Sequence, residues 1–391
     1  MPFDYPPPPH SRSDRAASRR VAWVTPDYPP DRGGVSDHSE AMVQELRAAG
    51  HEVLVCTKPH ERGFAHLNAE LAAYRADLVI VAYTPLGYAP RTGGIAAEFT
   101  LWSARLRRRL RCQTILLAHE IGLPVGYFLK NGEFKLATLG LIQIAQFAAL
   151  AASFDAVLFS NLSTKREWAR HVPLLRSRFY TTRICSNIPF HASADPAAEL
   201  TAAGYSVPSP TILFFGTGHE AVLFDYLEAA FLALLELEPG ARLVIVGMST
   251  AKLSKIRPSL AALGDRVDAL GYVAAPHVSL WLQVAALVLI PLIEGVSARK
   301  GTVMAALQHG QAVVTTRGTN TLEDIPWEKI CFLAPSERET FATQAVLAFQ
   351  NADQRAAVGR AARAEYDQHS SPAVTALRIV ELANQLRAPT G

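Results

Sequence analysis

The chain has 391 residues, of which 49% are apolar and 19% are charged, and its formal net charge is +3. This length predicts two or three domains, and the apolar content is enough for buried cores and excludes global disorder. The small net charge, without an extended basic stripe interleaved with aromatic residues, argues against a nucleic-acid partner.

The cysteines and the N-terminus indicate the compartment. No Cys-x-x-Cys spacing occurs, which argues against a metal knuckle or a disulfide framework and predicts a reducing, cytoplasmic location. Residues 1–19 are rich in proline and lack the apolar core of a secretion signal, so we predict a disordered tail there. The stretch that comes closest to an apolar run of membrane-spanning length is 136–159, but Gln143, Gln146 and Asp155 interrupt it.

The first half alternates short apolar strands with helices. This alternation predicts a parallel, doubly wound, Rossmann-like α/β domain over residues 20–190. The predicted strands are 21–25, 51–57, 76–83, 114–120, 154–160 and 180–187.

Two candidate sites lie where these strands end. Gly33 and Gly34 follow the first strand, at the edge where open α/β sheets bind ligands, although a Gly-Gly pair also suits an ordinary turn. The G-x-G-x-x-G spacing of a dinucleotide site is missing. His119 and Glu120 end a later strand, and a histidine beside a carboxylate there is either a site residue or a satisfied structural one.

A helix over 95–110 carries a cluster of arginines. Such a cluster is typical of a solvated helix face, and the alternative is a patch that contacts a membrane surface. The cluster consists of Arg105, Arg107, Arg108, Arg109 and Arg111.

The second half repeats the pattern after a segment rich in Pro, Ala and Ser, which we predict to be a linker over 191–209. Strands at 211–215, 241–247, 266–272, 285–290 and 312–315 predict a second Rossmann-like domain over 210–370. Gly216 begins a tight turn after the first of them. The sequence from 337 to 386 is helical, and residues 371–391 are predicted to be a C-terminal helix that crosses back to the first domain.

The stretch 291–316 carries the strongest local signal. A strand is followed by a loop with Glu294, Arg299 and Lys300, and Gly301 and Thr302 then lead into a helix. Free backbone N–H groups and the positive end of a helix dipole make such a start a good phosphate site, and two adjacent cations favour it further. The alternative is an ordinary crossover with a solvated Arg-Lys pair.

These segments together resemble a GT-B glycosyltransferase of the family 4 type, over residues 20 to 385. The resemblance rests on Val24-Thr-Pro-Asp-Tyr-Pro-Pro30, on Gly33-Gly-Val35, on Ala49-Gly-His-Glu-Val53 and on Pro291, Glu294, Gly295 and 310–314. It implies two Rossmann-like domains that face each other across a cleft.

The chain departs from that family at two places. The family usually carries two glutamates in the segment that begins at Glu294, but Thr302 or Ala305 stands where the second is expected. The Arg and Lys that follow the first strand of the second domain are replaced by His219 and Val222. We therefore expect Arg299 and Lys300 to have taken over neutralisation of the pyrophosphate.

The resemblance implies transfer of a sugar, with retention, from a nucleotide-diphosphate donor to a saccharide or lipid-linked acceptor in polysaccharide or glycoconjugate biosynthesis. It implies no metal and no cofactor, and a cytoplasmic protein that also lies on the inner face of the membrane. The expected catalytic residues are His119, Glu120 and Glu294; the expected donor-binding residues are Gly33, Gly34, Gly216, Arg299, Lys300, Gly301 and Thr302.

Other functions remain open at this level. The departures favour, as the alternative, a catalytically degenerate GT-B protein that binds a sugar nucleotide or a partner without turnover. A sugar-nucleotide epimerase on the same fold is a third interpretation, although no set of residues in the sequence indicates it. A dinucleotide oxidoreductase lacks the required glycine spacing.

Overall fold

A computed structural model describes residues 18–31, 33–89, 92–110, 112–122, 125–130, 132–322 and 325–386. The chain divides into two compact units. The first unit combines the chain up to Ile184 with the segment that begins at Pro372, and the second unit is Cys185–Ser371.

The first unit is built on a parallel sheet in the order β2-β1-β3-β4-β5-β6. These strands are rich in β-branched and other apolar residues, and most of their side chains are buried, as expected for a parallel sheet covered on both faces. The strands are β1 (Arg20–Thr25), β2 (Glu52–Thr57), β3 (Leu78–Tyr83), β4 (Gln113–Ala118), β5 (Ala156–Phe159) and β6 (Phe179–Thr181).

Nine helices of the first unit fall within the described residues. Aliphatic and aromatic side chains fill the core between helices and sheet, where the Tyr88 and Phe99 rings stack at 4.1 Å. The helices are α1 (Gly34–Ala48), α2 (Pro59–Arg62), α3 (Phe64–Tyr74), α4 (Pro85–Tyr88), α5 (Ala97–Leu110), α6 (Val125–Lys130), α7 (Phe134–Ser153), α8 (Leu162–His171) and α18 (Pro372–Gln385).

The second unit repeats the plan with a parallel sheet in the order β12-β11-β10-β7-β8-β9. Its strands are β7 (Thr211–Phe215), β8 (Arg242–Val246), β9 (Val267–Gly271), β10 (Leu287–Ile290), β11 (Val313–Thr316) and β12 (Phe332–Ala334). Its helices are α9 (Pro196–Ala202), α10 (Phe224–Leu237), α11 (Thr250–Ile256), α12 (Pro258–Ala261), α13 (Ala275–Val284), α14 (Gly301–Gln308), α15 (Trp327–Ile330), α16 (Arg338–Gln350) and α17 (Ala352–His369). The two-sheet α/β architecture predicted from the sequence is therefore confirmed.

Several predicted boundaries differ from the structure. The strand predicted over 180–187 ends at Thr181, and further along the chain the backbone N–H of Ser186 donates to Tyr366 Oη and not to a neighbouring strand. The segment predicted as a linker contains α9 and belongs to the second unit. Arg19, placed in the tail, is buried and donates to Gln113 Oε1 at 2.8 Å, whereas residues 1–17 and 387–391 lie outside the described residues.

Helix α7 is long and apolar enough to cross a membrane by length and composition, and it is the one such helix in the described part of the chain. It packs against α5 and α6 in the first unit. The two glutamines that interrupt its apolar run are buried, and Gln146 Oε1 accepts from Ala96 N at 2.7 Å. These contacts identify it as a packed helix of the first unit, with Phe134 and Leu141 left exposed.

Candidate functional site

In the second unit, the sheet changes its direction of winding between β7 and β10. Open α/β sheets bind ligands at such a switch point, beyond the carboxyl ends of the strands. The loops that follow these two strands are hydrogen-bonded to each other: Leu223 N donates to Pro291 O at 3.1 Å and Ile293 N to Ala221 O at 2.9 Å. Both loops that the sequence singled out, at Gly216 and at 294–302, therefore lie at one edge of the sheet.

The turn at Glu294 and Gly295 is fixed by tight backbone packing. Gly295 has φ +77°, and a Cβ there would stand 2.2 Å from Gly318 N. The Glu294 side chain accepts from Asn320 Nδ2 at 2.6 Å, and Val296 N donates to Thr316 O at 2.9 Å. Glu294 is thus held at the surface by an asparagine that the sequence did not single out.

The two predicted cations occupy different environments. Arg299 is exposed and makes no ion pair within the described residues. Lys300 is half-buried, and burial lowers its pKa below the ordinary value, assisted by the charge of Arg299 and opposed by Glu294. A lysine that loses hydration and lies beside another cation is poised to gain from an anionic ligand.

Helix α14 begins directly after these cations. Lys300 is its N-cap residue and provides no side-chain capping bond, so the first N–H groups of the helix have no side-chain partner there. The Ser297 hydroxyl, three residues earlier, is buried and has no hydrogen-bond partner in the part of the chain that the structure describes. A Cβ added at Gly216 would lie 3.8 Å from Thr302 Cγ2, which brings the two loops together at the helix start.

A third cation reaches this edge from a neighbouring helix. Lys252 of α11 donates through Nζ to Thr217 O at 2.6 Å, one residue after Gly216. The sequence prediction missed it, because it sought the lost Arg and Lys at His219 and Val222 in the same loop. The available signal was a lysine in the first turn of the helix that follows β8, since that helix also begins at the ligand-binding edge.

The position of the missing second glutamate is also visible. Ala305, where alignment from Gly310 places it, is fully buried on α14. Thr302, the other candidate position, is partly exposed in the first turn of the helix. A carboxylate at 305 would have no access to solvent in this packing.

In the first unit, Gly33 and Gly34 form the entry to α1 at the switch point between β1 and β3. Gly33 has φ +147°, a region that favours glycine, and its carbonyl accepts from Asp37 N at 2.9 Å. No heavy atom lies within 4 Å of a Cβ built on either glycine. The backbone is therefore accessible there, as close approach of a ligand requires.

His119 lies next to a histidine that the sequence did not single out. The His38 and His119 rings meet edge to face, with centroids 4.9 Å apart. Both nitrogens of His38 and Nε2 of His119 are buried and have no hydrogen-bond partner within the described residues. Burial lowers the pKa of His119 to about 4, and it lowers the pKa of His38 well below its ordinary value, so both rings are neutral at pH 7.

Glu120 is exposed and separate from this ring pair. Its Oε2 accepts from Thr84 Oγ1 at 3.4 Å, at the end of the neighbouring strand β3. The structure places Gly33 and Gly34 after β1, and His119 and Glu120 after β4, so all four lie at the carboxyl edge of one sheet, as the sequence predicted. Among the described residues, no group of three or more His, Cys, Asp or Glu side chains could hold a metal ion.

Comparison with known proteins bears on these two units. Residues 209–351 match the family model described as glycosyl transferases group 1. A structure of sucrose-phosphate synthase from Thermosynechococcus elongatus is similar over 94% of this chain and 99% of its own, with a TM-score of 0.68 and 17% identity. This chain has the GT-B glycosyltransferase fold.

Two further GT-B structures match equally broadly. WaaG, a glycosyltransferase involved in lipopolysaccharide biosynthesis, is 15% identical and covers 94% of this chain and 100% of its own, with a TM-score of 0.63. Anabaena HepE, solved in complex with UDP and glucose, is 13% identical with the same coverage and TM-score. No curated protein sequence matches the chain. The GT-B fold that the sequence resemblance implied is confirmed by these structures, and the glycosyl transferases group 1 model matches part of the second unit.

Proposed function

We propose that the protein transfers a sugar from a nucleotide-diphosphate donor to a saccharide or lipid-linked acceptor, with retention at the anomeric carbon. The observation that carries the proposal is the start of α14, where an uncapped helix N-terminus coincides with Arg299 and Lys300. The group 1 match over the same unit, and the UDP-glucose complex of HepE, support a sugar nucleotide as the ligand.

The donor diphosphate would bind to the second unit. Arg299, Lys300 and the N–H groups of Gly301 and Thr302 would neutralise the charge that develops on the leaving diphosphate, with no metal ion or cofactor. Lys252, held against the loop of Gly216, would add a third positive charge. Preorganised donors of this kind each lower the barrier by about 3–4 kcal/mol when they act on the developing charge. Glu294 would accept hydrogen bonds from hydroxyls of the sugar or the ribose.

The first unit would serve the transferred sugar and the acceptor. Gly33 and Gly34 leave room for a ligand against the backbone, and the unpartnered nitrogens of His38 and His119 are free to bond hydroxyl groups. A neutral imidazole can donate from one nitrogen and accept at the other, which suits a sugar hydroxyl better than an imidazolium. Glu120 would face the acceptor.

The test is calorimetric titration with UDP, GDP and ADP, followed by transfer assays with the matching sugar nucleotides. Arg299→Ala should lower the affinity for the tightest-binding nucleoside diphosphate by about tenfold to a hundredfold, which is the range expected when a charged hydrogen bond is lost. The corresponding nucleoside should bind equally to both proteins. Arg338→Ala is the matched control, because Arg338 is an exposed arginine of the same unit that pairs with Glu339. Unchanged diphosphate affinity in Arg299→Ala would reject this site.

A degenerate protein that binds without turnover is the second candidate. It is favoured by the buried Ala305 at the position of the second glutamate. It predicts diphosphate binding with the Arg299 dependence described above, but neither transfer nor hydrolysis of any donor with saccharide or lipid acceptors present.

A cytoplasmic location on the inner membrane face is the proposed setting, in a polysaccharide or glycoconjugate assembly step. The supporting observation is the exposed apolar face of α7, where Phe134 is 68% and Leu141 56% exposed. Of the predicted arginine patch, Arg105 is exposed, whereas the side chains of 107–109 and residue 111 lie outside the described residues. Flotation with anionic liposomes should be lost in Phe134→Asp/Leu141→Asp; equal flotation of this variant would remove the membrane role.

A further inference from the structure

The first unit contains a cavity of about 500 Å³ away from the residues discussed so far. It lies at the edge of the sheet, beside β6, which pairs with β5 alone. Helix α8, the 3₁₀ turn Pro173–Arg178 and helix α18 form its other walls. Its volume falls in the range of small-molecule sites, about 300–1,000 Å³. Neither the His38–His119 pair nor any residue of the second unit lines it.

The walls combine an apolar interior with positive charge. The apolar lining comes from two strands and two helices that meet at the sheet edge, β5, β6, α8 and α18: Leu158, Leu162, Ala169, Phe179, Ile379 and Leu382. The same cavity is lined by four cationic side chains and a single carboxylate, which belong to Lys165, Arg166, Arg176, Arg378 and Glu381. Arg166 and Arg176 are exposed, so they can reach a ligand at its mouth while its interior stays apolar.

The single carboxyl group does not cancel this charge. Glu381 lies one helical turn after Arg378 on α18, and the two interact electrostatically. Burial nevertheless raises the pKa of Glu381, the opposite of what a strong ion pair would do. Arg166 of α8 and Arg176 of the 3₁₀ turn line the cavity, and Glu381 is the one carboxylate among its lining residues.

The lining also contains an unsatisfied polar atom. Thr181 Oγ1, at the end of the edge strand, is buried and makes no hydrogen bond to any residue that the structure describes. A buried hydroxyl without a partner costs about 1–3 kcal/mol. This oxygen has almost no accessible surface, so a ligand oxygen would reach it only if the Thr181 side chain rotated towards the cavity.

We infer that this cavity binds a single-chain anionic amphiphile, with the apolar chain against Leu162, Phe179 and Leu382 and the phosphate or carboxylate at Arg166 and Arg176. A purely apolar ligand would leave the cations of the lining unused, and a small inorganic anion would leave the apolar wall in contact with water. The inference does not depend on the proposed sugar transfer, because the two sites share no residue.

The amphiphile could be a free molecule or a lipid of a bilayer. In the 3₁₀ turn that carries Arg176, Leu174 is 93% exposed. An exposed leucine between cations is the pattern of a segment that enters a lipid head-group layer. The chemistry at the site is the same in both cases, so the experiment has one arm for each source.

The test uses decyl phosphate below its micelle concentration, titrated into the full-length protein by calorimetry, with decanol and inorganic phosphate as comparison ligands. We expect one molecule of decyl phosphate per chain, at least about tenfold weaker binding of decanol, and no saturable binding of inorganic phosphate. Arg166→Ala/Arg176→Ala should weaken decyl phosphate at least about tenfold. Arg170→Ala is the matched control, since Arg170 is an exposed arginine of α8 outside the lining.

Ala169→Trp should fill the cavity and abolish binding of decyl phosphate, and circular dichroism verifies that this variant folds. If it does not fold, the result for Arg166→Ala/Arg176→Ala decides. Undiminished binding to both variants, or equal affinity for decanol, would overturn the inference. Vesicles with phosphatidylglycerol form the second arm. If the vesicles capture the protein, if decyl phosphate displaces it from them and if Leu174→Glu prevents the capture, the ligand is a lipid of the bilayer. If the protein binds decyl phosphate but the vesicles do not capture it, the ligand is a free amphiphile.

Discussion

The imidazole rings of His38 and His119 lie edge to face with their centroids 4.9 Å apart, one on the first helix and the other just after β4. Neither ring has an acidic partner that would favour its charged form, and each would repel the other if both were protonated. The pair therefore stays neutral, and both nitrogens of His38 and Nε2 of His119 have no hydrogen-bond partner within the described residues.

The neutral pair makes the first unit sensitive to acid. In the unfolded chain His119 binds a proton below its ordinary pKa of 6.5, whereas in the folded chain it does so only near pH 4. The unfolded state thus binds more protons in this interval, so the free energy of unfolding is highest above pH 6.5 and falls as the pH drops towards 4. His119 alone accounts for about 3 kcal/mol of that fall. His119→Gln should flatten that fall in urea unfolding monitored across the interval, and His171→Gln, an exposed histidine, should not. An unchanged slope in His119→Gln would contradict the assigned burial.

Lys300 should limit diphosphate binding at alkaline pH. Burial and Arg299 lower its pKa, and a bound diphosphate would raise it again, so binding takes up a proton between the two values. Affinity should therefore decline as the pH rises through the lowered pKa of free Lys300. Lys300→Arg should keep its affinity to higher pH, because guanidinium stays charged. Calorimetry in buffers of different ionisation enthalpy measures the proton uptake; identical pH profiles for the two proteins would exclude this role.

Lys252 should contribute to diphosphate affinity although it comes from a different helix. Lys252→Met keeps much of the side-chain length but removes the ammonium that donates to Thr217 O. We expect about tenfold weaker diphosphate binding and a smaller salt dependence, since one cation is lost from the site. Lys255→Met, an exposed lysine of the same helix, is the control. Equal losses in the two variants would indicate a general charge effect and not a site contact.

Two glycines should respond differently to alanine. Gly34 lies in the first turn of α1, and a Cβ built on it meets no atom within 4 Å. Gly34→Ala should therefore leave the fold intact and make the protein slightly more stable. It should nevertheless reduce sugar transfer, because the added methyl group occupies the space of the ligand. Gly295 has φ +77°, and a Cβ at this position would stand 2.2 Å from Gly318 N. Gly295→Ala should therefore destabilise the second unit by more than about 3 kcal/mol. Denaturant unfolding and turnover separate the two effects. Full activity of Gly34→Ala would show that no ligand approaches there.

The sequence by itself determined the architecture. Continuous apolar runs of four to seven residues separated by helices are typical of parallel sheets covered on both faces, and the glycine loops mark where strands give way to helices. The two sheets, the position of α14 and the loops at Gly33, Gly216 and Gly295 follow from that local pattern. Its errors lie at the ends of elements: the strand predicted over 180–187 ends at Thr181, and Ser186 bonds to Tyr366 and not to a strand.

Only the tertiary structure decided which side chains meet. His38 and His119 are 81 residues apart, and Lys252 reaches Thr217 from the next βα unit, so no local period links either pair. Arg299 and Lys300 are adjacent in sequence but differ in burial, because solvation depends on the whole neighbourhood of a side chain and not on its neighbour in the chain. The fold follows from patterns that repeat along the chain, whereas charge state, burial and unsatisfied polar atoms arise from contacts between distant segments.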